Sequence, residues 1–420
     1  MNPTPASNTL RYAWFVVGLL VPVALLNYLD RQMIAAMKVS VMKDIPSIGT
    51  EANWGYMLGQ FKWVYAILSP VGGYLADRFS RRLTIGASLL CWSAITFVTG
   101  QVTTYEGLLW TRTLMGISEA FYIPAALALI TDYHSSATRS RAVGAHQIGI
   151  YVGVITGSFA GYAADNPELG WRWMFNITGL VGILYAVPLV WLLRDARRAN
   201  EAKPGEATNL SPVRAAVELA TNGSFILLVL YFTLPALAGW VVRDWMPAIL
   251  QKELDLKQGI AGVSAVVYWQ GAAIFAAIAG GWLADRWMRR TVRGRIYVSA
   301  LGMACIIPAM LGVGIVVGMK SLPLAVLFLI LFGIGWGCFD GNNMPILSQL
   351  VRPELRATGY GVMNLVSISC GGFADWGFGT LRDRHVPLNV IFGAFAGVAL
   401  LSVVLVLLIK PREELTAPAG

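Results

Sequence analysis

Charge is scarce in this chain. Only 13 % of its 420 residues are Asp, Glu, Lys or Arg, about half the share of an ordinary soluble domain. So few ionic groups cannot clothe a water-facing surface, which excludes a soluble enzyme, a charged disordered chain and a coiled coil. Histidine is rarer still, at three, and leaves no His-rich metal site. The four cysteines, Cys91, Cys305, Cys338 and Cys370, stand far apart inside apolar runs. None has CxxC or metal-ligand spacing, and they read as small buried hydrophobes. No segment carries HExxH or a Ser/His/Asp set. The glycine-rich run 312–318 lies inside an apolar segment with no strand before it, so it is not a nucleotide loop. Catalysis, a cofactor and a bound metal are therefore not expected.

What the chain does hold is apolar length. Hydrophobic residues make up 56 % of it and its mean hydropathy is +0.61. A helix needs about 20 apolar residues to cross the ~30 Å of a bilayer core. Twelve such segments are read, near 12–35, 55–76, 83–100, 108–131, 142–162, 173–193, 225–247, 260–284, 296–317, 322–347, 357–381 and 388–409. The first is followed by no small-residue cleavage site and is expected to remain as an uncleaved helix. The 44 glycines and 15 tryptophans suit close helix packing and interfacial aromatic belts.

The net charge of +9 is a matter of topology rather than of nucleic-acid binding. With the N-terminus inside, about 20 of the Lys and Arg residues fall on inner loops and tails and about 8 on outer ones, which obeys the positive-inside rule. The richest inner stretches are Arg78/Arg81/Arg82, Arg286 to Arg295, and Arg194 to Arg214. The last of these is polar and separates six spans from six. The expected organisation is a first bundle over 1–193, a cytoplasmic linker over 194–222 and a second bundle over 223–420, with both termini cytoplasmic.

The two halves repeat one another. Gly73-Tyr-Leu-Ala-Asp-Arg-Phe-Ser-Arg-Arg82 follows span two, and Gly281-Trp-Leu-Ala-Asp-Arg-Trp-Met-Arg-Arg290 follows span eight; the shared pattern is GxLADRxxRR. Arg141-Ala-Val-Gly144 opens span five as Arg356-Ala-Thr-Gly359 opens span eleven. Gly116, Glu119 and Pro124 of span four have the spacing of Gly337, Asp340 and Pro345 of span ten. Three correspondences in the same order mark an internal duplication.

The doubled GxLADRxxRR loop resembles the signature loop of the major facilitator superfamily, and the resemblance covers essentially the whole chain. Asn27-Tyr28-Leu29-Asp30-Arg31, the Arg112/Gly116/Glu119 spacing, Gly170-Trp171-Arg172-Trp173-Met174-Phe175 and Asp244-Trp245-Met246-Pro247 are similar to its anion:cation symporter branch. The Spinster-like lipid transporters also look like NYxDR plus an acidic residue in span four. Superfamily proton antiporters look like GPxxGG in span five, where this chain has Gly157-Ser158-Phe159. The resemblance implies an all-α membrane protein of twelve transmembrane helices in two pseudo-symmetric six-helix bundles, rocking around a midplane site. It further implies movement of a small anionic solute, such as a sugar acid, by proton symport; the short loops fit a bacterial inner membrane, and a monomer is expected. A Spinster-like carrier of lysolipids and a drug/proton antiporter are the alternatives.

Charges inside spans cost at least about 2.5–3.5 kcal/mol each, so each needs a reason. Arg112 and Glu119 are two turns apart and share a face of span four. Asp30 and Arg31 are adjacent and point apart. Across a helix interface Asp30 or Glu119 can pair with either arginine. Protonating one carboxylate would free its arginine for an anionic substrate; the alternative is a static ion-pair network. The resemblance implies that Asp30 and Glu119 couple protons. Lys62 reads as an anion anchor in a cavity or as a snorkelling interfacial lysine. Arg31, Lys62, Tyr65, Arg112, Tyr151, Asn343 and Asn364 are the candidate substrate contacts, the two amides being suited to reading hydroxyls or to joining helices. His146 is expected at the inner interface, and Arg243–Asp244 as a local ion pair at the outer one. Asp77, Arg78, Arg82, Asp285, Arg286 and Arg290 of the repeated loops are candidate gating residues, through ion pairs that differ between states. Gly149, Gly153, Gly157 and Gly161, at every fourth position, predict a smooth helix face for close packing.

Overall fold

The computed structural model describes residues 5–78, 80–195 and 212–412, all helical or in short connections. Helices α1 to α9 run Pro5–Ala36, Lys38–Asp44, Glu51–Arg78, Arg81–Thr99, Tyr105–Glu119, Tyr122–Tyr133, Ser136–Ser158, Ala160–Asp165 and Gly170–Leu192. Helices α10 to α16 run Pro212–Thr221, Gly223–Leu254, Gln258–Met288, Gly294–Val316, Leu322–Leu347, Arg356–Asp383 and Leu388–Leu408. Packing divides the chain into two units: Met1–Lys203 with Lys257–Val263, and Pro204–Leu256 with Ser264–Gly420. Helix α10 lies inside the stretch 194–222 expected as a linker; residues 196–211 of that stretch lie outside the described residues.

Among the described residues, nine helical segments are long and apolar enough to cross a membrane. Every predicted span falls on helical chain, but those on α3, on α7 with α8, and on α15 fall outside these nine. Polar residues such as Asn53, Gln60 and Lys62 in α3, His146 and Gln147 in α7, and Asn364 and Asp375 in α15 thin their apolar windows. Two predicted spans are also interrupted. Span four breaks after Glu119, where α5 gives way to α6, and span five breaks after Ser158. Pro124 accounts for the first break: it lacks the N–H that would bond the Ala120 carbonyl four residues back. Gly72 of α3 packs onto that break, where an added Cβ would come within 2.6 Å of the Ala120 carbonyl oxygen.

The glycine stripe of α7 does what its spacing predicts. Gly149, Gly153 and Gly157 meet the backbone of Val21, Leu25 and Leu29 on α1, where side chains would clash; a Cβ at Gly149 or Gly157 would stand 2.6 or 2.7 Å from a carbonyl oxygen. Two helices thus lock in a four-residue register, which ends immediately before Asp30 and Arg31. In the same unit, Gly116 of α5 lets that helix approach α3, its Cβ position lying 2.9 Å from the Phe61 carbonyl oxygen. Also within the first unit, the Asp165 carboxylate accepts from the backbone N–H groups of Gln258 (3.1 Å) and Gly259 (2.8 Å), which caps the start of α12.

The second unit uses the same device. Gly333 and Gly337 of α14 meet the backbone of Trp269 and Ala273 on α12. Around them Trp269, Phe332, Trp336 and Phe339 stack edge to face or tilted at 5.2–6.4 Å between ring centres. Tyr231 and Phe232 of α11 extend the cluster onto Phe339 at 5.3 and 6.0 Å.

Candidate functional site

The α1–α7 register and the α3–α5 approach together bring four charges of the first unit into one buried region. Arg31 donates from Nε to Oε2 of Glu119 at 2.7 Å, with the two side chains 10 % and 0 % exposed. The Arg31 guanidinium is boxed by three rings, with centroids at 4.8 Å for Tyr28, 5.0 Å for Phe61 and 4.6 Å for Tyr65. Ring faces supply negative potential without a proton to lose, and each such contact is worth about 0.5–2 kcal/mol. Asp30 points elsewhere and accepts from the Thr96 hydroxyl at 2.8 Å. Arg112 is 2 % exposed and lies over Phe175 at 5.7 Å. It feels Asp30 and Glu119 electrostatically, yet its Nε and Nη2 have no hydrogen-bond partner. The region therefore pairs Arg31 with Glu119 through one contact, leaving the Arg31 Nη2 and the Glu119 Oε1 without hydrogen-bond partners, and leaves Arg112 with unused donors at Nε and Nη2.

Other candidates fall in different places. Lys62 is 4 % exposed and lies buried on α3. Tyr65 is buried with Arg31, and Tyr151 is half-buried on α7. His146 is a correction. It is 1 % exposed, and its Nε2 lies 2.9 Å from the Tyr122 hydroxyl, which donates to the Leu20 carbonyl; the break between α5 and α6 turns Tyr122 into the core to meet it. Arg243 and Asp244 do pair locally, at 3.9 Å, but both are largely buried. Asp375, at 0 % exposure, accepts from the Trp245 indole at 3.2 Å.

In the second unit, Asn343 is buried and neither amide atom has a hydrogen-bond partner. Asn364 is half-buried, and Asp340, the repeat counterpart of Glu119, is exposed. Of the repeated loops, the side chains of Asp77 and Arg78 lie outside the described residues. The backbone N–H of Arg82 donates to Asp195 at 2.9 Å. Ser80, beside it, caps α4 by accepting from Leu83 at 3.2 Å. In the second loop Asp285 pairs with Arg295 at 3.5 Å, Arg286 lies over Trp282 at 5.8 Å, and Arg290 is exposed.

Sequence reasoning missed Thr96 and two walls of the box. Phe61 stands one turn before Tyr65, a spacing that puts both rings on one helix face. Nothing local marks Thr96, whose partner is 66 residues away.

The Major Facilitator Superfamily profile matches residues 20–374. Among curated relatives, Protein spinster of Drosophila melanogaster is 26 % identical over 381 residues, covering 88 % of this chain and 62 % of that protein. The chain thus spans less than two thirds of that relative's length. An MFS-type efflux pump of Mycolicibacterium smegmatis is 27 % identical, over 89 % of this chain and 85 % of that protein. Among solved structures, a bacterial homologue of the human lysosomal transporter Spinster, inward-facing and occupied, superposes with a TM-score of 0.81 at 20 % identity over 97 % of this chain and 99 % of that one. A D-xylose-proton symporter does so at 0.72 and 16 % identity, over 96 % and 99 %. At such identities the two structures speak for the fold.

Proposed function

Because this chain belongs to the Major Facilitator Superfamily, we propose that it is a twelve-span, proton-coupled transporter of the Spinster-like kind, with cytoplasmic termini, in a bacterial inner membrane. Its substrate is an amphipath carrying an anionic group, such as a lysolipid, and it works by alternating access. The transporter fold and the multi-pass membrane location come with the family and the structural likeness; coupling and substrate are the reading added here.

One observation carries the coupling: the buried Arg31–Glu119 pair at 2.7 Å. Removing one charge from a buried pair leaves the other uncompensated at a cost of about 3–5 kcal/mol. A proton arriving on Glu119 therefore creates a demand for a new counter-ion at Arg31, and the anionic group of a substrate meets it. Arg112, with unused Nε and Nη2 donors, is the second contact for that group, and its fork suits an oxyanion. Proton and anion thus favour each other's binding. Asp30, held by Thr96, stays available as a second coupling carboxylate. Lys62, Tyr65 and Tyr151 stand as further contacts, and the GxLADRxxRR loops as gates.

The matches to Spinster-named proteins, taken with the resemblance of the NYxDR segment to Spinster-like lipid transporters, favour the amphipath. A sugar acid is the second reading, favoured by Asn343, whose buried amide offers both a donor and an acceptor with no partner. The test is uptake into proteoliposomes under an inward proton gradient, with a lysophospholipid, a hexuronate and a neutral sugar offered separately. Accumulation of the lysophospholipid alone is expected. Accumulation of the hexuronate alone replaces the Spinster-like reading with the sugar-acid one, and accumulation that ignores the proton gradient removes the coupling.

A further inference from the structure

The second unit contains a cleft of about 480 Å³ that the transport reading does not use. It opens where four helices end on one side of the unit: the last turn of α11, the end of α13, the last turn of α15 and the start of α16. Its walls carry one charge of each sign, Arg382 and Glu253, joined by a single contact of 3.2 Å from Nη2 to Oε1. Both side chains are partly exposed, at 20 % and 32 %. The other arm of Arg382 is fixed, its Nη1 donating to the Val386 carbonyl at 3.0 Å. Asn389 adds an exposed amide. The remaining walls are apolar or bare: Ile315, which is 57 % exposed, Leu388, and Gly318, around whose missing Cβ there is open space within 4 Å. Just outside the cleft, Val390 is 56 % exposed on the same helix as Asn389.

We propose that this cleft binds the headgroup of an aminophospholipid, with the phosphate on Arg382 and the ammonium on Glu253. The volume is within the range of small-molecule sites, about 300–1,000 Å³. A partly exposed monodentate ion pair contributes little by itself, so a zwitterion can open it and replace each charge's partner with a better one. The ammonium of an ethanolamine headgroup donates to the Glu253 carboxylate, whereas a quaternary choline has no N–H to give, and an anionic glycerol headgroup would face Glu253 without compensation. A lipid rather than a free zwitterion is indicated by position. The cleft lies at the ends of membrane-spanning helices, where headgroups are, and its exposed apolar flank at Ile315 and Val390 offers acyl chains a surface that continues into the bilayer. The site is independent of the coupling proposed for the first unit.

The experiment is native mass spectrometry of the full-length protein, delipidated in detergent and titrated with phosphatidylethanolamine, phosphatidylcholine, phosphatidylglycerol and, separately, soluble phosphoethanolamine. The expected result is a phosphatidylethanolamine adduct retained about tenfold better than the other two lipids, equivalent to one strong polar contact. Gly318→Phe fills the cleft where nothing else is packed, so it should remove that preference while leaving the melting temperature unchanged. Glu253→Gln should abolish discrimination between ethanolamine and choline headgroups. Equal retention of the three lipids, or an unaltered preference in Gly318→Phe, overturns the proposal. Equally tight binding of soluble phosphoethanolamine overturns the lipid as its source.

Discussion

The repeated sequence motifs pair positions of α5 in the first unit with positions of α14 in the second, and there the two units bury opposite things. On α5 the first unit places Arg112 and Glu119 seven residues apart and surrounds Arg31 with Tyr28, Phe61 and Tyr65. The repeat puts Gly333 and Asp340 of α14 at the equivalent positions of the second unit. There Gly333 is used for close packing on α12, and the space is filled by Trp269, Phe332, Trp336 and Phe339. The helix–helix frame is shared, since both units bring a small residue onto a neighbour's backbone. The chemistry set on that frame differs. At these equivalent positions the first unit is ionic and the second aromatic, while the second unit buries its own charges elsewhere, at Arg243, Asp244 and Asp375.

The largest effect should come from breaking the ionic half. Arg31→Gln leaves Glu119 buried without its partner and is expected to cost about 3–5 kcal/mol of stability, read as a fall in melting temperature. The double variant Arg31→Gln with Glu119→Gln should recover most of that loss, which distinguishes an unpaired charge from simple loss of packing. Next come the packing stripes, which should behave alike in both units. Gly153→Ala, against the Leu25 backbone, and Gly333→Ala, against that of Trp269, should each cost about 1–3 kcal/mol; a large cost in one unit alone would mean that the frame is not shared.

Smaller effects sharpen the contrast. Tyr65→Leu removes one wall of the box and should weaken proton-driven transport by about twofold to thirtyfold, the worth of one cation–π contact of about 0.5–2 kcal/mol. Phe339→Leu, in the aromatic half, should lower the melting temperature and leave the pH dependence of transport as it was. Ser80→Gly is expected to cost only a few tenths of a kcal/mol as an N-cap change, with a further small loss from its hydrogen bond to Asp195.

Much of this frame is legible in sequence because it rests on local regularities. Apolar length marks the helices, the four-residue glycine spacing marks the α1–α7 contact, and the repeated loops mark the duplication. Asp30, Arg31, Arg112 and Glu119 stand out because a charge in an apolar run is costly. What stays hidden depends on long-range geometry. Which arginine takes Glu119 is decided by how α1 meets α5, and Thr96 becomes the partner of Asp30 only through tertiary packing. His146 reads as interfacial from its place near the start of α7, yet the chain break after Glu119 turns Tyr122 inward to meet it. That break was itself foreshadowed by Pro124, whose missing N–H ends α5 at Glu119, the residue on which the proposed coupling rests.

The central claim is that proton coupling resides in the ionic first unit and not at its counterpart in the second. Substrate-induced proton uptake, followed with a pH dye in proteoliposomes, tests it directly for the wild type, Glu119→Gln and Asp340→Asn. Loss of proton uptake in Glu119→Gln, with uptake retained in Asp340→Asn, is the predicted result. Proton uptake that persists in Glu119→Gln, or disappears only in Asp340→Asn, would contradict the account.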